Sequence, residues 1–167
     1  MVTVVLGGVG NVSAGGYLVN ELSSGQLAGT LDAKTGFGFN LSFNKSGSNV
    51  QGHARIRINR LENGVWKKYE LKSTSITSLT TQDTTGTTGT AQFISKANLT
   101  EISSSLTPLS LSGLQLVMTI VDNGEPGRND TISITLWNGN TLVFSSRWIG
   151  TATAQQLLGG GNLQVKK

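Results

Sequence analysis

A chain of 167 residues is long enough for one all-β domain with a single core, and its lack of cysteine excludes disulfides, thiolate metal sites and cysteine nucleophiles. Its one histidine excludes a metal site built on two imidazoles, and no 18-residue apolar stretch offers a helical membrane span. The formal net charge of +4 is spread along the chain without the basic cluster and interleaved aromatics that nucleic-acid binding calls for, while 13% charged residues leave solubility to hydroxyls and amides, a composition common in extracellular β proteins.

Met1 to Leu6 is too short for a signal peptide and lacks a basic start, which points to a domain excised from a longer exported protein, with Val2-Thr3-Val4-Val5 a remnant or a first strand. From there period-two alternation dominates. Phe37, Phe39, Leu41 and Phe43 alternate with Gly38, Asn40 and Ser42, so four large apolar side chains share one face of a strand over 36–43. Ala54, Ile56 and Ile58 alternate with Arg55, Arg57 and Asn59, an amphipathic strand with two arginines on its wet side. Asn63-Gly64 suits a type I′ hairpin turn, whose two central residues need positive φ. The return strand runs from Val65 through Trp66 to about Leu71, and Thr74 to Thr81 forms a separate Ser/Thr-rich piece.

After a loop or ragged hairpin at 84–89, Ala91 to Ile94 resumes a strand, while Ala97 to Leu106 fits a short helix and a strand about equally. Leu114, Leu116, Met118 and Ile120 alternate with Gln115, Val117, Thr119 and Val121, the pattern of a central strand. Ile132, Ile134 and Leu136 follow, then a tight turn at Asn138-Gly139 into Thr141 to Phe144, and Leu163 and Val165 close the chain. About nine to eleven strands at spacings near 8 to 12 residues predict a β-sandwich, favoured over a barrel because the two faces of most runs differ.

Candidate chemistry is sparse. His53 lacks a Gly-x-Ser-x-Gly elbow or an ordering partner, and it reads as a solvent-side residue beside Arg55, so no enzyme is expected. The segment Asp122 to Asp130 is the densest set of oxygen ligands. Asp122, Asn123, Glu125 and Asp130 offer the hard oxygens that Ca²⁺ takes, though no cofactor is required, and the preferred reading is turn chemistry, with Pro126-Gly127 in the middle of a type II turn bracketed by the two aspartates. Trp66, beside Lys67 and Lys68, and Trp148, beside Arg147, are the candidates for an exposed stacking platform, whereas Trp137 ends an alternating strand and reads as packing. Gly159-Gly160-Gly161 lacks the Lys-Ser/Thr of a phosphate loop and reads as a bend before the last strand.

Three segments carry a resemblance. They are Gly36 to Asn40 with Gln51 to Ile58; Leu71 to Leu79; and Val121 to Ile134 with Trp137 and Leu158 to Leu163. Together they resemble the β-domain that follows hyalin-type, immunoglobulin-like or choice-of-anchor modules in long secreted bacterial proteins. The resemblance spans about residues 36–167 and implies an immunoglobulin-like antiparallel β-sandwich near the C-terminus of a larger protein that is secreted or displayed on the bacterial cell surface, while the chain length fits a single domain over 1–167. Thr151 to Ala154 departs from it, since related sequences often carry a more acidic loop there, which weighs against a metal site carried over by analogy. The expected function is a non-catalytic structural or adhesive module, with a carbohydrate-binding module using Trp66 and Trp148 as the alternative. The expected partners are neighbouring domains of the parent chain and surface glycans or other proteins, without nucleic acid or a membrane span.

Overall fold

The computed structural model describes residues 10–44, 46, 49–82, 88–103, 105–124 and 128–166. Among these there is no helix, and twelve strands follow in order: β1 (Asn11–Val19), β2 (Lys34–Phe43), β3 (Val50–Glu62), β4 (Val65–Gln82), β5 (Gly89–Glu101), β6 (Ser110–Asp122), β7 (Thr131–Asn138), β8 (Thr141–Ser145), β9 (Trp148–Ile149), β10 (Ala152–Thr153), β11 (Gln156–Leu157) and β12 (Gly160–Lys166). The three shortest, β9 to β11, have two residues each, so nine strands of five or more carry the fold.

Strands β1 to β7 lie side by side in chain order, every pair antiparallel; β12 adds to the outer edge of β1, and β8 and β11 both pair with β7. The chain is all-β and sandwich-like, and its large sheet curls so that β12 reaches across to β5 and β6. The apolar set predicted from alternation is what fills the space between. Phe37, Phe39 and Leu41 of β2, Ala54, Ile56 and Ile58 of β3, Leu114 to Ile120 at alternate positions of β6, and Ile132, Ile134 and Leu136 of β7 are buried in one cluster with Leu163 and Val165. Phe43 packs against that cluster from a half-buried position. The rings of Phe39 and Phe93 of β5 meet in an edge-to-face arrangement with centroids 5.4 Å apart, a preferred aromatic geometry.

The local turns follow from residue chemistry. Asn63 and Gly64 take φ of 51° and 80°, as a type I′ hairpin requires. In the second hairpin Asn138 pairs with Thr141, so the central residues are Gly139 and Asn140, and Gly139 takes positive φ at 59°.

Three elements differ from the reading of the sequence. The strand β1 has no period-two signal in the sequence, because Gly15-Gly16 breaks its apolar alternation. The expected return strand and the Ser/Thr-rich piece are one 18-residue strand, β4, kept in the ladder with β5 by register shifts at Ser73/Ser75 and Ile76/Ser78. Such bulges absorb an extra residue and twist the strand, which hides its continuity from a period-two count. Likewise Ala97 to Glu101, open between helix and strand in the sequence, completes β5. The stretch Val2 to Val5 lies outside the described residues.

Candidate binding face

The two aspartates of the acidic loop are buried, Asp130 completely, and every one of their oxygens accepts a backbone N–H. Asp122 Oδ1 accepts from Gly124 at 2.9 Å and Oδ2 from Val165 at 3.0 Å; Asp130 Oδ1 accepts from Asn123 at 2.9 Å and Oδ2 from Leu163 at 3.0 Å. Leu163 and Val165 are alternate residues of β12, so their N–H groups both leave the strand on the edge away from β1. Among the described residues no further strand pairs with that edge, and the carboxylates accept the N–H groups that a ladder would otherwise take. Asn123 is exposed and donates its amide to the Asn129 carbonyl at 2.7 Å. Glu125, Pro126 and Gly127 lie outside the described residues, and with them the expected turn centre. Among the described residues no three His, Cys, Asp or Glu side chains gather as a metal-holding group.

The two tryptophans occupy different surroundings. Trp66 is 57% exposed and lines a shallow cavity with Asn59, Lys67, Lys68, Ile102 and Ser103. Trp148 is half-buried and meets Trp137 edge-on with centroids 6.2 Å apart. The cavity at Trp66 does not include Trp148.

A larger groove, about 490 Å³, opens over β1, β2 and β3, lined by Gly16, by residues 36–40 of β2 and by His53, Arg55 and Arg57 of β3; Gly15 is not in that lining but shares the outward row of Gly38 and Arg55. Cross-strand register builds it. Tyr17, Gly36, Arg57 and Glu70 form one row across four strands, Gly15, Gly38, Arg55 and Lys72 the next, and Ser13, Asn40 and His53 a third. Directly paired residues point to the same side of a sheet, so the glycines make a floor flanked by the β3 cations and by Asn40. Nothing in the fold demands glycine on that floor. A Cβ built on Gly15 meets no atom within 4 Å, and on Gly36 and Gly38 none nearer than 3.9 Å. None of the three has positive φ. Gly16, one residue away and facing inward, is the contrast: a Cβ there would stand 2.2 Å from the Gly160 carbonyl oxygen, where β12 meets β1.

Glu70 organises the cations beside the floor. Arg57 Nε donates to its Oε2 at 2.8 Å, Arg55 Nε stands 3.8 Å from the same oxygen, and Lys72 Nζ is 3.3 Å from Oε1. Burial pushes this carboxyl up, but the bonds from Arg57 and Lys72 and the Arg55 charge outweigh it and hold the group below its ordinary value. Three cations thus meet one anion, a local surplus of positive charge. The Arg55 and Arg57 side chains remain about half exposed, at 52% and 49%. Tyr17, the aromatic residue at the end of the floor, carries Lys34 Nζ over its ring at 4.3 Å, and its ring lies against Gly159 and Gly160. Those glycines, read from the sequence as a bend, are seats for that ring, and Gly160 and Gly161 already belong to β12.

A scan against protein-family models and searches of curated proteins and solved structures return no match. The resemblance to secreted bacterial β-domains therefore rests on its three segments alone.

Reading the sequence placed Arg55 and Arg57 on a wet face and His53 beside them, and all three are exposed. It missed the groove, whose other wall and floor come from strands it paired with nothing. The available signal was Gly36-x-Gly38 inside a strong strand, since glycine weakens a strand and marks close approach of a ligand or another backbone.

Proposed function

We propose that the chain is a non-catalytic adhesive module of a secreted or surface-displayed bacterial protein and that it holds its ligand in the groove over Gly15, Gly36 and Gly38. One observation carries this reading: glycines on adjacent strands form a bare floor where a side chain would fit without a clash. Glycine in a strand interior costs about 0.5–1 kcal/mol relative to alanine, so its use there points to a surface kept clear for something to lie on. The export assignment draws on the three-segment resemblance and on the hydroxyl- and amide-rich, weakly charged composition.

The test separates stability from binding. Gly38→Thr should raise unfolding stability by about 0.5–1 kcal/mol, since threonine favours strands and its Cβ enters open space. The same variant should lose binding on an array of neutral and charged glycans, with Gly15→Thr as a second probe of the floor. Binding that survives both substitutions places the ligand elsewhere. The exposed Trp66 beside Asn59 and Lys68 supports the alternative, a carbohydrate-binding surface at the β3–β4 hairpin; there Trp66→Ala, and not Gly38→Thr, removes binding.

A further inference from the structure

We infer that the ligand of the groove is an acidic polysaccharide whose carboxylates pair with Arg55 and Arg57 while its sugar rings lie on the glycine floor. This rests on the groove being the binding face. Three features define the chemistry.

The first is charge. His53, Arg55 and Arg57 occupy alternate outward positions of β3, which sets the two guanidinium stems about 7 Å apart along the groove. Glu70 satisfies part of this charge through the Nε edge of Arg57 and the approach of Arg55. A guanidinium has five N–H donors, and with the Nε of Arg57 on Glu70 its two Nη groups can still take a second carboxylate end-on in a bidentate pair. Glu70 is itself a carboxylate among these cations, so the cluster already accommodates the group the ligand would bring.

The second is shape. The floor spans two adjacent strands with no side chain on it, and it is open rather than enclosed. A flat ring on an extended chain fits such a surface, and Asn40 and Ser13, in the row beyond Gly38, supply an amide and a hydroxyl for sugar hydroxyls.

The third is the state of Tyr17. Single-stranded nucleic acids bind by stacking bases on aromatic faces beside a cationic track. Tyr17, in the outward row of Gly36, is engaged by Lys34 and by the Gly159-Gly160 backbone, and Phe37 and Phe39, which also line the groove, are buried, which favours a sugar chain over a nucleic acid strand.

The test uses the whole chain immobilised on a sensor, with polygalacturonate as the probe and dextran, dextran sulfate, polyglutamate and oligo-dT for comparison. Polygalacturonate should bind, weaken about tenfold or more between 50 and 500 mM NaCl because exposed charge pairs are screened, and be lost in Gly38→Thr. The double variant Arg55→Gln and Arg57→Gln should weaken it about tenfold or more, at roughly 1.4 kcal/mol per factor of ten, while Lys96→Gln, which removes an exposed charge from β5, should not. Circular dichroism and thermal melting establish that each variant is folded. Polygalacturonate that fails to bind overturns the inference, as does binding indifferent to both arginines. Tighter binding of dextran sulfate, polyglutamate or oligo-dT also overturns it, in favour of a sulfated glycan, an acidic peptide or a nucleic acid. In any of these cases, a bound polymer that Gly38→Thr removes keeps the groove as the binding face. A panel in which Gly38→Thr removes nothing overturns the groove itself.

Discussion

Phe39, Asp122 and Asp130 show how much single side chains decide here. Phe39 is 4% exposed and edge-on to Phe93, so Phe39→Ala should cost about 3–5 kcal/mol in denaturant unfolding; a change below about 1 kcal/mol would mean the ring contributes little to the core. Asp122→Ala strands the Val165 N–H inside the protein, and Asp130→Ala strands that of Leu163. Each buried donor left unpaired costs about 1–3 kcal/mol, and each carboxylate also caps its own loop through Gly124 or Asn123. Either variant should therefore be less stable by at least that amount, and amide exchange at Val165 or Leu163 should accelerate in the matching variant. Because all four oxygens already accept N–H groups, we expect the melting temperature of the wild type to respond to neither calcium nor chelator. A midpoint that rises with calcium and falls back with chelator would support a bound calcium through linkage.

Among the elements, one acid gathers the described residues of the β5–β6 connection beside its backbone hydrogen bonds. Glu101, the last residue of β5, accepts hydrogen bonds from the Ser105 and Ser103 hydroxyls; burial works against them, and the Leu109 N–H and Lys67 add further support. Together they bring its carboxyl down to about 2 from the ordinary 4.5. A carboxyl depressed by folding stabilises the native state above its unfolded pKa and loses that contribution as pH falls through the folded one. The stability gap between wild type and Glu101→Gln should thus be full above pH 4.5 and close between 4.5 and about 2, as urea unfolding at several pH values would read. A gap that persists at pH 2 would mean that neutral hydrogen bonding holds the connection. At the seam of β1 with β12, Gly16→Ala must push the Gly160 carbonyl aside and should destabilise by about 1–3 kcal/mol. Its neighbour Gly15→Ala meets open space and should be neutral or stabilising by up to about 1 kcal/mol, so the pair of melts separates a packing glycine from a surface one.

At the scale of the whole molecule, two devices other than a continuous ladder fasten the curled sheet. The β1–β2 connection runs along β8, where Leu27 N–H donates to the Val143 carbonyl at 2.8 Å and Ser24 exchanges backbone bonds with Ser145. At the other edge, the two aspartates bond β12. Alternation by itself determined which side chains face the core, because the period of two is a property of the extended backbone and needs no partner. Hence Phe37, Phe39 and Leu41, or Ile132, Ile134 and Leu136, were legible from the chain alone, as was the Asn63-Gly64 turn, where the residue types answer to local φ. Local pattern could not reveal β1, whose outward Gly15 and inward Gly16 carry no apolar signal, or the continuity of β4 through its bulges. Nor could it show what the aspartates do, since their partners stand 33 and 43 residues away along the chain. The groove depends on the register of β1 against β2 and of β2 against β3. Only the tertiary structure sets that register, because the strand pairing that brings Gly15 and Gly38 beside Arg55 is chosen by burial of the opposite face of the sheet, not by the residues that the groove displays.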